Sequence, residues 1–150
     1  MAKRKELTKR LILLLKLAVA LTFFSHGLYA IGYYPISAGF IEMCINILPI
    51  SEDQAMVFLH LAGIFDFMVC ILIFLPFRKA ILIGLAYCTI WGLATAFARP
   101  MAYFYIDFWQ ESLQRWLFEA LYRFVHGLVP LILFLYYWWE GKEQVLFYKK

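Results

Sequence analysis

The sequence predicts an all-α fold: a polytopic membrane bundle of four helices. Both termini are expected on the cytoplasmic side, with a short interfacial or re-entrant helix after the first span. Three observations carry this reading. Of the 150 residues, 65% are apolar and 20% aromatic, against about 45–50% apolar in a soluble domain, so too few charges remain to coat a water-exposed surface. The apolar residues fall into four runs, at about 11–33, 54–75, 80–98 and 116–139, each near the roughly 20 residues that a helix needs to cross the hydrocarbon. The cations are segregated. Lys3, Arg4, Lys5, Lys9, Arg10, Lys16, Arg78, Lys79, Lys142, Lys149 and Lys150 flank one end of these runs. The other end holds only Arg99 and Arg115, with Arg123 inside the fourth run. By the positive-inside rule the first end is cytoplasmic, and an even number of spans puts both termini there.

The elements follow in order. Residues 1–10 are polar and basic. The apolar run after them exceeds the 7–15 residues of a signal-peptide core, so it reads as a retained first helix, ended by Gly32 and Pro35. Ser37–Leu48 is too short to span and carries Glu42 and Asn46; it reads as the short interfacial or re-entrant helix, stopped by Pro49. Ser51, followed by Glu52 and Asp53, has the pattern of an N-cap with acidic first-turn residues, and it opens the second span. Pro76-Phe77-Arg78-Lys79 makes a tight basic turn. The third span stops at Arg99-Pro100. Residues 101–115, aromatic and mildly charged, suit a segment lying on the membrane surface. Short connections make neighbouring spans antiparallel, in one domain covering 1–150. No internal repeat is strong enough to assert. Cys44, Cys70 and Cys88 form no CxxC pair and read as small core residues. The net charge of +4 is explained by topology, so it is no argument for nucleic acid.

Ionisable residues inside membrane-length helices are costly and commonly functional. At a rise of about 1.5 Å per residue, His26, His60, Asp66, Glu119, Arg123 and His126 all fall in the outer half or near the midplane. Arg99 caps the third span at its outer edge. The inner half is read as almost purely apolar. Thr22, His26 and Tyr29 share one face of their helix, as do Trp91, Thr95 and Arg99, and Glu119, Arg123 and His126. The inference is a polar pocket between four helices, open to the outer side. Plainer roles exist for each residue. Arg99 can snorkel to the interface, Glu119 and Arg123 can pair within one turn, and any one histidine can be a packing residue. Together, three histidines on three helices in one half of the membrane point to a ligand. His26, His60 and His126 can ligate a metal, although no HxxxH or ExxH pattern marks such a site. Two histidines on facing helices can hold a haem b. Alternatively His26, His60, His126, Asp66, Arg99, Arg123 and Glu119 can bind the oxygens of a quinone head flanked by Trp91.

The stretch Ala62-Gly63-Ile64-Phe65-Asp66 through the Leu/Ile run to Pro76-Phe77-Arg78-Lys79-Ala80 and Gly84 resembles the central segment of the DoxX-like membrane proteins. So does His26-Gly27-Leu28-Tyr29-Ala30. That family consists of four-helix membrane proteins and takes its name from the membrane subunit of a thiosulfate:quinone oxidoreductase. The resemblance therefore implies a quinone-linked redox role. Asp66 stands where those relatives usually carry Glu, and the three histidines with Glu119 and Arg123 depart from the general pattern.

Two functions follow as expectations. The first is a quinone- or haem-linked redox subunit of a larger membrane complex, in a bacterial inner membrane, with lipid and other membrane subunits as partners. Whether it is itself a membrane oxidoreductase subunit in the catalytic sense is left open, because the chain has no reactive nucleophile and no soluble domain. The alternative is a non-catalytic accessory or assembly subunit, packing on partners through small residues such as Gly84, Gly92, Ala94 and Ala98. A transporter fits less well, since an apolar inner half offers no route through.

Overall fold

A computed structural model of the chain describes residues 2–33, 38–102 and 117–148. Six helices lie among them: α1 (Ala2–Ala30), α2 (Ala38–Ile47), α3 (Glu52–Leu72), α4 (Arg78–Ala102), α5 (Phe118–Arg123) and α6 (Val125–Tyr148). Four stretches are long and apolar enough to cross a membrane: Lys3–Ala30, Glu52–Leu72, Arg78–Ala102 and Phe118–Glu140. The last joins α5 and α6 across Phe124. The expected surface segment, 101–115, lies outside the described residues from 103 onward.

The helix ends show why the chain breaks where it does. Gly32 takes a positive φ of 78°. The Tyr33 N–H donates to the Leu28 carbonyl at 3.0 Å and the Gly32 N–H to that of Tyr29 at 3.2 Å, the paired bonds of a Schellman cap. The Ser51 hydroxyl accepts from the Gln54 N–H at 3.3 Å, and the Gln54 side chain accepts from the Ser51 N–H at 2.9 Å. This capping box starts α3 with Glu52 and Asp53 in its first turn. Arg78 opens α4 and donates from Nε and Nη2 to the carbonyls of Tyr137 (3.0 Å) and Trp138 (3.1 Å). That ties the turn after α3 to the far end of α6.

Two boundaries differ from expectation. The first helix includes residues 2–10, because Lys, Arg, Glu and Leu are strong helix formers and Arg10 pairs with Glu6 one turn earlier at 3.1 Å. The third span continues through Pro100 to Ala102. Proline removes one helical donor, a loss tolerable this close to a helix end.

The four spans close into a ring: α1 packs on α3 and α6, and α4 packs on α3 and α6, with α4–α6 and α1–α3 the most extensive pairs. Val19, Phe23, Val69, Ile73, Ile81, Leu85, Cys88 and Leu133 fill the interior, drawn from all four spans. α2 lies across the end of the bundle opposite the N-terminus, here called the outer end, where Met43 packs with Ala102, Phe40, Ile47 and Ala98. Large aliphatics such as Leu14, Leu21, Ile71, Ile83, Ile90 and Ile132 face outward, as a surface in contact with hydrocarbon requires.

Glycines set how closely the helices approach. A Cβ added at Gly92 would stand 2.6 Å from the backbone carbonyl carbon and oxygen of His126. One added at Gly127 would meet Leu93 Cγ at 2.6 Å. At the α1–α3 crossing, one added at Gly63 would meet the Gly27 carbonyl at 3.0 Å. The glycines expected to serve partner subunits are thus used inside the chain: Gly92 against α6 and Gly84 against Ile73.

Gly92→Ala should therefore part α4 from α6 and cost about 1–3 kcal/mol, the usual range for overpacking. Gly84→Ala should cost less, since its new methyl meets chiefly the side chains of Ile73 at 3.0 Å and Leu72 at 3.2 Å. Thermal melts of both variants in detergent check this. Equal losses would mean that the α4–α6 crossing is not the tight contact.

Candidate functional site

The outer half of the bundle gathers charged and polar side chains from three spans. His26 of α1 and His126 of α6 touch edge to face, with ring centroids 5.3 Å apart and planes at 88°. Each histidine directly precedes a glycine at a helix crossing, so the close packing at Gly27 and Gly127 also fixes the two imidazoles. Arg99 of α4 is 4% exposed. Its Nε donates to Glu119 Oε2 of α5 at 2.8 Å, its Nη1 to the Thr95 carbonyl at 3.3 Å, and its guanidinium lies 5.7 Å from the Phe40 ring of α2. Arg99 is therefore a buried ion-pair partner that does not snorkel. Glu119 pairs with it across helices and not with Arg123 along its own. Arg123 lies over Tyr122 at 5.7 Å. Arg99, Arg123 and His126 are the charged or titratable groups close enough to act electrostatically on His26. Two guanidiniums face one carboxylate in this group. Arg123 Nε and His126 Nδ1 are both buried with no hydrogen-bond partner.

Local backbone explains the placement of His126. The helix breaks at Phe124, between α5 and α6. The Gly127 N–H donates to the Phe124 carbonyl at 3.0 Å, beside the regular Leu128 bond to the same oxygen at 2.9 Å. This tightened turn offsets the face bearing Glu119 and Arg123 from that of His126. The break also places Phe124 against Phe97 of α4, with centroids 5.0 Å apart.

Asp66 belongs to a second, deeper layer. It is 1% exposed and accepts a hydrogen bond from the Tyr87 hydroxyl at 3.1 Å. That hydroxyl also lies 3.4 Å from the Ala62 carbonyl. Phe23 stands between the layers, 5.9 Å from the His26 ring and 6.4 Å from the Tyr87 ring. Trp91 goes with the deeper layer too, 6.5 Å from Tyr87 and 5.9 Å from Phe58.

His60 is the third of the histidines expected in the site. It shares a face of α3 with Phe67, seven residues on, and Phe67 packs on Phe24 of α1 at 5.4 Å. The expected metal set His26, His60 and His126 does not form: among the described residues no three His, Cys, Asp or Glu side chains come together in a group able to hold a metal ion. A haem between His26 and His126 does not fit either. Two metal–nitrogen bonds of about 2 Å each plus half of each ring exceed the 5.3 Å between the centroids, and an edge-to-face contact leaves no room for a macrocycle. The cysteines are free; Cys70 donates to the Ala20 carbonyl at 3.2 Å and Cys88 is core. Cys44, outside the spans, has its thiol pushed up by burial.

Sequence reading missed two features. Phe24-Ser25-His26-Gly27-Leu28 and Phe124-Val125-His126-Gly127-Leu128 repeat one F-x-H-G-L pattern. Its two histidines are the pair in contact, so the repeat was a usable signal. The second miss is Lys16. It counts among the cytoplasmic-end cations by position, yet it is 9% exposed and lies inside the bundle, so the inner half is not purely apolar. Comparison with family models, with curated proteins and with solved structures finds no match.

Glu119→Gln should strand a buried guanidinium and destabilise by about 3 kcal/mol, the low end for a broken buried pair because Glu119 keeps 33% of its side chain exposed. Arg99→Met combined with Glu119→Gln should be more stable than Glu119→Gln alone. A double-mutant cycle on melting curves reads the coupling; strict additivity would mean that the pair does not act as one. In the deeper layer, Tyr87→Phe should cost about 1–3 kcal/mol by leaving Asp66 without its donor, and the Asp66→Leu, Tyr87→Phe double variant should recover part of that loss.

Proposed function

We propose that the chain is a small membrane subunit whose outer-half site binds a molecule bearing hydrogen-bond-accepting oxygens, with a quinone head group as the occupant. One observation carries this: Arg123 Nε and His126 Nδ1, three residues apart in the sequence, are both buried without a partner. Buried polar groups are nearly always satisfied, and hydrocarbon supplies no substitute. A quinone carbonyl accepts from such donors, and the resemblance to the DoxX-like proteins, resting on the residues quoted above, suggests the same class of ligand. Quinones dissolve in the bilayer that surrounds the site.

In this reading a bound quinone supplies carbonyl–hydroxyl redox chemistry, and the protein supplies positioning and protons. Arg123 fixes one oxygen and neutralises negative charge that builds there. His126 holds or accepts a proton at Nδ1. His26 keeps the His126 ring in place by its edge contact. Glu119 is occupied by Arg99, which leaves Arg123 without a carboxylate among the described residues. The electron donor comes from another subunit. The cation bias of the chain supports cytoplasmic termini, with the site toward the periplasmic half of a bacterial inner membrane.

Protein purified gently in mild detergent should retain quinone, quantified after solvent extraction. Arg123→Met and His126→Ala should weaken its retention about tenfold, the loss expected for a charge-assisted hydrogen bond, whereas His60→Ala should leave it unchanged. Folded wild-type protein free of quinone, and unable to bind a soluble short-chain ubiquinone, would overturn this reading in favour of the accessory-subunit role.

A further inference from the structure

The opposite end of the bundle holds a second built site. A cleft of about 270 Å³ opens between α1 and α6, lined by Lys9, Ile12, Lys16, Tyr136, Tyr137 and Glu140. Lys16 is its inner wall. Its Nζ lies 4.7 Å from the centre of the Tyr137 ring and 6.0 Å from that of Phe74. The ion pairs among the described residues are Arg10–Glu6 and Arg99–Glu119, so Lys16 has no carboxylate among them. An ammonium within a membrane-length helix is costly, and aromatic rings return only about 1–2 kcal/mol of that. The arrangement calls for an anion.

The rest of the cleft says which kind. Lys9 is seven residues before Lys16, on the same face of α1 and about 10 Å nearer the end of the helix. Glu140 ends the fourth span, lines the same cleft and lies 3.5 Å from the Tyr136 hydroxyl. Two cations and one carboxylate therefore share a groove at the level where the apolar spans end. Leu13 lines the cleft as well and presents apolar surface outward. A free anion in this groove would have hydrocarbon on one side. A phospholipid would not, because its acyl chains continue along that apolar surface. Basic pockets between helices on the cytoplasmic side are a known mode of headgroup recognition.

We propose that this cleft binds an amine-bearing glycerophospholipid, with its phosphate on Lys16 and Lys9 and its ammonium on Glu140. The lipid acts as a wedge between α1 and α6, opposite in depth to the histidine pair, and the site stands independently of the quinone reading.

Native mass spectrometry of the full chain, released from micelles doped in turn with phosphatidylethanolamine, phosphatidylglycerol or phosphatidylcholine, tests this. Phosphatidylethanolamine should bind most tightly. Lys16→Met should weaken it about tenfold while Lys16→Arg retains most of the binding, and Glu140→Gln should erase the preference over phosphatidylglycerol. Lys16→Met removes a buried charge, so helicity and melting temperature should hold. Should it fail to fold, Lys9→Met at the exposed rim carries the same expectation. Unchanged phosphatidylethanolamine binding in folded Lys16→Met protein overturns the site. Displacement of the lipid by inorganic phosphate overturns the lipid assignment in favour of a free anion, and equal binding of phosphatidylglycerol overturns the role of Glu140.

Discussion

The contact between Gly92 and the backbone of His126 is the constraint on which most of the outer half depends. Hydrocarbon gives helices no reason to associate through the hydrophobic effect, so close backbone approach and polar contacts must hold them together. At Gly92 the two backbones come so near that even one methyl group has no place. Because His126 is the residue touched, the contact that joins α4 to α6 also fixes an imidazole. The same logic repeats at Gly27 and Gly63, one residue after His26. Two crossings thus deliver two histidines to one point, and Arg99 and Glu119 close the group from the neighbouring helices.

Polar groups in this bundle are sorted into layers, and the sorting follows from what each can pair with. Arg99 needs a carboxylate and takes the nearest one, on α5. Asp66 has no cation near it and takes a hydroxyl from Tyr87. Phe23 separates the two solutions, almost fully buried and in contact with a ring on each side. Among the described residues the outer layer therefore keeps an excess of positive charge while the deeper one holds an acid. The Phe23 ring lies where direct exchange between them would have to pass.

The two ends of the bundle treat buried cations differently. At the outer end, one of two guanidiniums is matched by Glu119 within the chain. At the basic end, Lys16 is surrounded by aromatic rings, and Arg78 spends its donors on the carbonyls of α6. A cation held by rings and carbonyls is positioned without being neutralised, which leaves its charge for something outside the chain.

The number and order of the spans were readable from hydropathy alone, because a membrane-length helix needs nothing but its own backbone bonds and an apolar surface. The Ser51 cap and the Gly32 stop were readable for a similar reason: each is a local bond pattern written in adjacent residues. Facial spacing put Glu119, Arg123 and His126 on one face, and the break at Phe124 offsets His126 from the other two. What no spacing could decide was rotation and depth between helices. His60 and His26 lie at equal counted depth, yet among the described residues the three histidines form no group able to hold a metal ion. Glu119 had an equally good partner by sequence in Arg123, one turn away; the packing of α4 on α5 gave it Arg99 instead. Lys16 looked like a boundary cation because position along a helix says nothing about which face meets the bundle. Those choices belong to the glycine crossings and the break at Phe124, which set how each helix is turned against its neighbours.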